Sequence, residues 1–384
     1  MKIQRLISAA IALSLFLGVL AATNETEIYS DTFRSPKITR ETEIFSDTFQ
    51  SSKISSAWTV HEGNWAIENG ALTVNNGGLI VLNTPPGGRF TMEFEIAFPS
   101  SWMSVIPFFT GPEDYGTLYF GGGYWESFEK EGENIGNFVQ RKDPEITRTG
   151  GFQRIKVISD YGLVTFSYDG KEKGPATIPF RPGSRVAFRS LPKSGLLKIK
   201  NFRLATLGPA DASTVYQLPL AALMKGVIYK DHQYEGKPSP ADRLVIEART
   251  GGAELKYGFK PGEVFESCFV RIPVGAAKSK TILMDVESDN SRNTFFIIVH
   301  DVSGEQHLVF KTGMAWQGWQ TVGVNLQTFL ESPPKLERSI LHWGGDQNQE
   351  IDFPIKAIDI GVAKHHIKVK DSGQVRFRNV RFTE

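Results

Sequence analysis

The sequence contains a single cysteine, Cys268, so no disulfide bond can form within the chain. Its 43 Lys and Arg residues nearly balance its 42 Asp and Glu residues, which leaves no strong field to attract nucleic acid or an anionic membrane. After the N-terminus no stretch is apolar enough to span a bilayer. Hydrophobic cores must therefore hold the chain together, and its 27 Phe residues suit that task.

The N-terminus has the pattern of an export signal. Lys2 and Arg5 precede an apolar run over residues 6–20, and the small residues Ala21 and Ala22 follow. The run is shorter than the ~20 residues that a membrane-spanning helix needs. We predict a signal peptide over residues 1–22, export to an extracellular or periplasmic location, and no membrane insertion after cleavage. An uncleaved membrane anchor is the alternative.

A short repeat follows the signal peptide. Residues 26–38 recur as residues 42–54, and only the second copy runs directly into Trp58. One sheet has one position for an N-terminal strand. We therefore predict that residues 23–40 form a flexible arm that competes for the same edge pairing.

The remaining chain has the pattern of short strands separated by turns. Asn75-Asn-Gly-Gly78 joins two apolar runs as a hairpin. From Phe90 to Phe98, a large apolar residue stands at every second position. That alternation predicts Phe90, Met92, Phe94, Ile96 and Phe98 on one face, with Glu93 and Glu95 on the other. The expected fold is all-β, with two jelly-roll sandwiches in tandem over residues 41–207 and 216–384, joined by a linker over residues 208–215.

The first half carries recognisable motifs. A Trp strand, the hairpin Gly63-x-Trp65-x4-Gly70-Ala-Leu and the strand Phe90-x-x-Glu-Phe-x-Ile96 occur in order, and residues 154–170 and 201–204 continue the pattern. This half resembles the concanavalin A-like (laminin-G-like) jelly rolls, in particular those of secreted bacterial 3-keto-disaccharide hydrolase-like proteins. The resemblance implies a jelly roll directed at sugars.

The second half resembles a different sandwich family. Residues 316–326, 342–348 and 373–382 are similar to the galactose-binding-like fold of many carbohydrate-binding modules. Such modules often hold a structural calcium beside a closing Asp-Asn or Asp-Asp pair. This chain has Arg378-Asn379 at that place.

Two groups of acidic residues are candidates for chemistry. Glu93 and Glu95 share a strand face about 6.6 Å apart, a spacing that permits a glycosidase pair. A solvated outer strand face is the favoured explanation, because alternation alone produces it. Asp285, Glu287 and Asp289 could hold calcium, with a solvated loop as the alternative. None of the seven histidines has a neighbouring ligand at chelating spacing in the sequence, and no cofactor beyond that calcium is expected.

Aromatic residues in loops suggest the ligand. Sugar rings stack C–H groups on Trp and Tyr, while their hydroxyls bond to Asp, Asn, Gln and Arg. The alternative for each Trp is a structural role, in which its side chain closes one end of a sandwich core. The predicted ligand-binding residues are Trp102, Tyr115, Tyr124, Trp125 and Arg141 in the first half, and Tyr229, His232, Trp343, Asp346, Gln347 and Asn348 in the second.

Three functions remain open from the sequence. The first is a noncatalytic protein that binds extracellular glycans. The second is a glycoside hydrolase or lyase acting in the first half. The third is a structural or adhesive envelope protein that binds a protein partner through sheet edges or an aromatic patch.

Overall fold

The computed structural model describes residues 41–98, 103–131, 134–146, 150–178, 180–192, 195–208, 214–231, 242–247, 251–264, 266–326, 342–348, 350–365 and 369–384. The predicted signal peptide and arm, residues 209–213 of the predicted linker, Trp102 and His232 lie outside the described residues. No helix among the described residues is long and apolar enough to cross a membrane.

The first half contains fifteen described strands. They are β1 (Glu41–Asp47), β2 (Trp58–Glu62), β3 (Ala66–Glu68), β4 (Ala71–Asn75), β5 (Gly78–Leu82), β6 (Arg89–Ala97), β7 (Met103–Gly111), β8 (Asp114–Gly121), β9 (Tyr124–Glu131), β10 (Asn134–Lys142), β11 (Gln153–Asp160), β12 (Leu163–Tyr168), β13 (Lys171–Thr177), β14 (Arg185–Ser190) and β15 (Leu196–Leu207).

The second half contains twelve described strands and one short helix. They are β16 (Thr214–Gln217), α1 (Leu220–Leu223), β17 (Val227–Asp231), β18 (Arg243–Glu247), β19 (Gly252–Gly258), β20 (Glu266–Ala276), β21 (Thr281–Asp289), β22 (Thr294–His300), β23 (Glu305–Gly313), β24 (Gln317–Asn325), β25 (His342–Gly344), β26 (Ile355–Lys364) and β27 (Ser372–Thr383). The predicted all-β fold of two sandwiches is confirmed.

Two antiparallel sheets form the first sandwich. One has the order β13-β12-β11-β6-β15-β4-β3, with β1 also paired to β15, and the other has the order β10-β9-β8-β7-β14-β5-β2. Phe90, Met92, Phe94, Ile96 and Phe98 are all buried in the core between the sheets, as their alternation predicted. Each sheet therefore has one inner face and one outer face.

The second copy of the repeat forms the edge strand β1. It pairs with β15 from Glu41 opposite Leu207 to Asp47 opposite Phe202. The Arg203 guanidinium binds Glu41 at 2.7 Å and Glu43 at 3.1 Å. The position predicted for one N-terminal strand is thus occupied by residues 41–47.

Two six-stranded sheets form the second sandwich. Their orders are β18-β19-β27-β21-β24, with β16 paired to β27, and β17-β20-β26-β22-β23-β25. The core between them includes Cys268, which is fully buried. At the edge beyond β23, the short strand β25 begins the segment that carries Trp343.

Candidate functional site

An apolar cluster lies on the outer face of the seven-stranded sheet in the first sandwich. In β8, Leu118 and Phe120 enter the core, so Tyr115, Thr117 and Tyr119 project from the other side. Their neighbours on that outer side form a separate cluster. Its members are Leu79, Val81, Ile106, Phe109, Tyr115 and Ala187, with Phe128 packed against them. An outer sheet face with an apolar floor is unusual, because alternation normally places polar residues there.

Aromatic rings flank this apolar cluster on the side of β8 and β9. The Phe128 ring lies 6.4 Å from the ring of Tyr115 and 6.2 Å from that of Tyr119. Arg189 donates a hydrogen bond to the Tyr115 hydroxyl at 3.0 Å, and its guanidinium lies 5.7 Å from the centre of that ring. Opposite Tyr119, Glu126 accepts a hydrogen bond from Gln140. We call Tyr115, Tyr119, Phe128, Arg189, Glu126 and Gln140 the aromatic face.

Burial keeps the Tyr119 phenol of the aromatic face neutral. Burial raises the pKa of Tyr119 well above its ordinary value of 10, and the Glu126 carboxylate adds to the effect. The phenol therefore remains a hydrogen-bond donor at every physiological pH. Arg189 also lies 3.6 Å from Glu62, so a cation, carboxylates, an amide and phenol groups surround the aromatic rings. A ligand here would meet flat apolar surfaces rimmed by donors and acceptors.

The other residues predicted in the first sandwich take different positions. Trp125 is 5% exposed and packs edge-on against Phe166 in the core, 5.2 Å between ring centres. Burial favours a structural role for this indole in place of the predicted ligand contact. Arg141 lies opposite Trp125 on the neighbouring strand and is half-buried. Tyr124 is half-buried at the start of β9.

Glu93 and Glu95 lie on the outer face of the eight-stranded sheet, on the other side of the core from the aromatic face. Burial opposes ionisation of Glu93, but hydrogen bonds from Lys156 and Arg154 outweigh it and lower the pKa of the carboxyl. The pKa of Glu95 is lowered mainly by a hydrogen bond from Asn201. A glycosidase acid needs a raised pKa, so these ion-paired carboxylates are poorly suited to that role.

The second sandwich brings several predicted residues into one exposed loop. Trp343 is 39% exposed, and Asp346, Gln347 and Asn348 are exposed beside it. The Asn348 amide donates to Asp346 at 3.0 Å and to Asp352 at 3.3 Å, which gives the loop its shape. We call residues 342–348 and 350–352 the Trp343 loop. Tyr229 lies elsewhere, on the edge strand β17, with its ring stacked on Phe269.

The three residues predicted to hold calcium have separate partners. Asp285 lies 3.5 Å from the Arg378 guanidinium and accepts a hydrogen bond from Asn379. Glu287 pairs with Arg376 at 3.0 Å, and Asp289 accepts a hydrogen bond from the Tyr257 hydroxyl at 2.9 Å. The structure does not bring the three carboxylates together around one point. The calcium ion remains a prediction without a shared site.

A group of side chains of the types that bind metal ions was missed in the sequence. Asp301, Glu305 and His307 are all buried, and their candidate ligand atoms lie within 4.8 Å of one another. The prediction that no histidine has a neighbouring ligand at chelating spacing is wrong for His307, because Glu305 precedes it by two residues on the same strand. The β22–β23 turn brings Asp301 back beside β23, and the strand period of two places Glu305 and His307 on one face. We call these three residues the Asp–Glu–His cluster.

No protein-family model matches the chain, and no match was found among curated proteins. Among solved structures the chain is similar to a carbohydrate-binding module from Bacillus subtilis, with 13% identity and a TM-score of 0.33, over 38% of this chain and 93% of that one. It is also similar to a β-glucanase of Bacillus licheniformis, with 12% identity and a TM-score of 0.34, over 42% of this chain and 97% of that one.

A third similar structure is the catalytic domain of an endo-1,3-β-glucanase from Thermotoga petrophila. It shares 12% identity with the chain and has a TM-score of 0.33. The similarity spans 43% of this chain and 98% of that one. Each of these three similarities involves less than half of the chain.

Proposed function

We propose that this is an exported, noncatalytic protein that binds glycans through the aromatic face of its first sandwich. The observation that supports the proposal is the grouping of Tyr115, Tyr119 and Phe128 beside Arg189 on an outer sheet face. Tyr119 and Phe128, which are half-buried, offer ring surfaces for the C–H groups of a sugar, while Tyr115 is only 6% exposed and supports them from beneath. Arg189, Glu126 and Gln140 offer hydrogen bonds to its hydroxyls.

Absence of catalysis is part of the proposal. Glu93 and Glu95 are ion-paired and lie across the core from the aromatic face. The carboxylates on the aromatic side, Glu62 and Glu126, face Arg189 and Gln140. A sugar bound there would be held by these groups without an acid–base pair of the kind that cleaves glycosides.

The exposed Trp343 loop provides a second candidate contact. Trp343 presents an indole beside Asp346, Gln347 and Asn348, which are short polar side chains of the kind that bind sugar hydroxyls. Two modest sites on one chain would increase retention on a polymer, because the second binding event becomes intramolecular.

The test incubates the protein with a panel of soluble and insoluble polysaccharides, and measures both depletion of protein and release of reducing ends. We expect depletion by particular polysaccharides without release. Tyr119→Ala should weaken binding at least about fivefold, since a central aromatic contact contributes more than about 1 kcal/mol. Tyr119→Phe should retain most of the affinity because the ring remains.

Phe152→Ala is the matched control. Phe152 is an exposed aromatic residue of the same sandwich, covered by Lys200 from the eight-stranded sheet. Its removal should leave binding unchanged. Release of reducing ends would overturn the noncatalytic proposal, and absence of depletion by every polysaccharide would favour a protein partner.

A further inference from the structure

Asp301 of the Asp–Glu–His cluster differs from three other buried carboxylates of the second sandwich. Asp359 is paired with Arg271 at 2.8 Å, Asp242 with Lys230 at 3.1 Å, and Glu254 with Arg376 at 2.7 Å. These pairs follow the general rule that a buried charge is matched by an opposite one.

Asp301 has a different set of partners. Its carboxylate accepts hydrogen bonds from the Ser303 hydroxyl at 2.7 Å and from the backbone N–H groups of Glu305 and Asp352 at 2.9 and 3.2 Å. His307 is its only partner among the described residues that can carry positive charge. A second buried carboxylate, that of Glu305, belongs to the same cluster. Two carboxylates and one imidazole thus meet in one buried place, with ligand atoms within 4.8 Å of one another.

The spacing within the cluster suits an ion better than a direct hydrogen bond. His307 Nε2 and Asp301 Oδ2 lie 3.4 Å apart, beyond the usual 2.7–3.2 Å range for N–H···O contacts. Two ligands bound tetrahedrally to zinc, at about 2.0–2.1 Å each, are separated by about 3.4 Å. The Glu305 carboxylate lies within 4.8 Å of both atoms.

The donor types identify the class of metal. Calcium and magnesium select oxygen ligands, whereas an imidazole nitrogen together with carboxylates suits zinc and related transition metals. His342 lies directly opposite His307 in the β23–β25 pair, so both project from the same face of the sheet. The Trp343 loop thus begins at a histidine beside His307.

The cluster is also the attachment point of that loop. Asp352 donates its backbone N–H to Asp301, and Val302 donates its backbone N–H to the Asp352 carbonyl at 3.3 Å. Gly345 packs so closely on Glu305 that any side chain at position 345 would collide with the strand. We propose that Asp301, Glu305 and His307 bind a divalent transition-metal ion of the zinc class, which fixes the Trp343 loop to β23.

The experiment compares the chelator-treated protein with two histidine variants. Calorimetric titration with Zn²⁺, Ca²⁺ and Mg²⁺ measures affinity, and hydrogen exchange measures protection of the Trp343 loop. We expect one Zn²⁺ per chain, little or no binding of Ca²⁺ or Mg²⁺, and slower exchange in the loop once zinc is added. His307→Gln should weaken zinc binding by more than about tenfold, because loss of an outer-shell partner alone costs 10–100-fold.

His300→Gln is the matched control. His300 also hydrogen-bonds a buried aspartate, Asp359 at 2.8 Å, but Arg271 shares that carboxylate. Zinc affinity should be unchanged in this variant. If His307→Gln does not fold by circular dichroism, Glu305→Gln makes the same test. The proposal is overturned if the unsubstituted protein binds no zinc, if it prefers Ca²⁺, or if a folded cluster variant binds zinc with unchanged affinity.

Discussion

The ring of Tyr161 in the first sandwich covers Gly323 in the second so closely that any side chain at position 323 would collide with it. Tyr161 lies in the turn between β11 and β12, and Gly323 lies in β24. The same ring packs on Gly88 of its own sandwich. A tyrosine seated between two glycines thus joins the two halves of the chain.

Gly323→Ala should therefore destabilise the protein. A methyl group at this position would displace Tyr161, and overpacking of this kind costs about 1–3 kcal/mol of the free energy of unfolding. Urea unfolding followed by circular dichroism measures the loss. Gly258→Ala is the control, because a Cβ atom at that strand glycine meets nothing within 4 Å. Equal effects of the two substitutions would show that the Tyr161 contact contributes nothing.

Two tryptophans predicted as ligand contacts should respond in opposite ways. Trp125→Ala removes a buried core side chain and should cost about 3–5 kcal/mol of unfolding free energy. Trp343→Ala removes an exposed side chain and should change stability by less than about 0.5 kcal/mol, while weakening retention on polysaccharide. Urea unfolding of both variants measures the change in stability, and depletion of both variants by polysaccharide measures the change in binding. A stable Trp125→Ala protein that has lost binding would contradict the core assignment.

Cys268 should be unreactive in the folded protein. Burial raises the pKa of its thiol to about 12, so at pH 8 almost no thiolate is present and reagents cannot reach the sulfur. Alkylation by iodoacetamide, followed by mass spectrometry, should be very slow in buffer and rapid in 6 M guanidinium. Rapid modification of the folded protein would show that the β20 region opens readily.

The ion pairs of Glu93 should make part of the stability dependent on pH. Because its folded pKa is lowered from the ordinary 4.5, its contribution is present above that value and is lost as the pH falls through the folded pKa. Glu93→Gln should reduce stability at pH 7 by up to about 1 kcal/mol, and the difference from the unsubstituted protein should shrink at acid pH.

Glu68→Gln serves as the control for this pH series. Glu68 is an exposed carboxylate with no ion pair among the described residues. Urea unfolding of the three proteins between pH 3 and pH 7 should separate the Glu93 pairs from general charge effects. A difference for Glu93→Gln that stays constant down to pH 3 would exclude the ion pairs as its source.

Alternation predicted the inner face of one strand of the first sandwich correctly, but another strand of that sandwich does not follow it. In β6 the apolar residues from Phe90 to Phe98 all enter the core. In β9 the inward positions are Trp125, Ser127 and Glu129, so polar and apolar residues share the buried face. The outward positions include Phe128, which joins the outer apolar cluster. Where both faces of a strand are covered, the period of two no longer separates inside from outside.

Part of the candidate site depends on the pairing of strands that are far apart in the chain, and local sequence patterns do not reveal this pairing. Trp343, Asp346 and Asn348 were predictable because they are neighbours in one loop. Arg189 reaches Tyr115 only because β14 and β8 both flank β7. Likewise, Asp352 meets Asp301 across 51 residues of chain. Such contacts are set by sheet order, which local patterns do not specify.

The edge strand β1 has a duplicate within its own chain. Glu41, Glu43 and Phe45, which contact Arg203 and the core of the first sandwich, are matched sixteen residues earlier by Glu25, Glu27 and Tyr29. A mutation in β1 therefore leaves a second copy of the same strand pattern in the chain, sixteen residues earlier. We expect this redundancy to make the edge more tolerant of substitution than the strands of the same sheet that are encoded once.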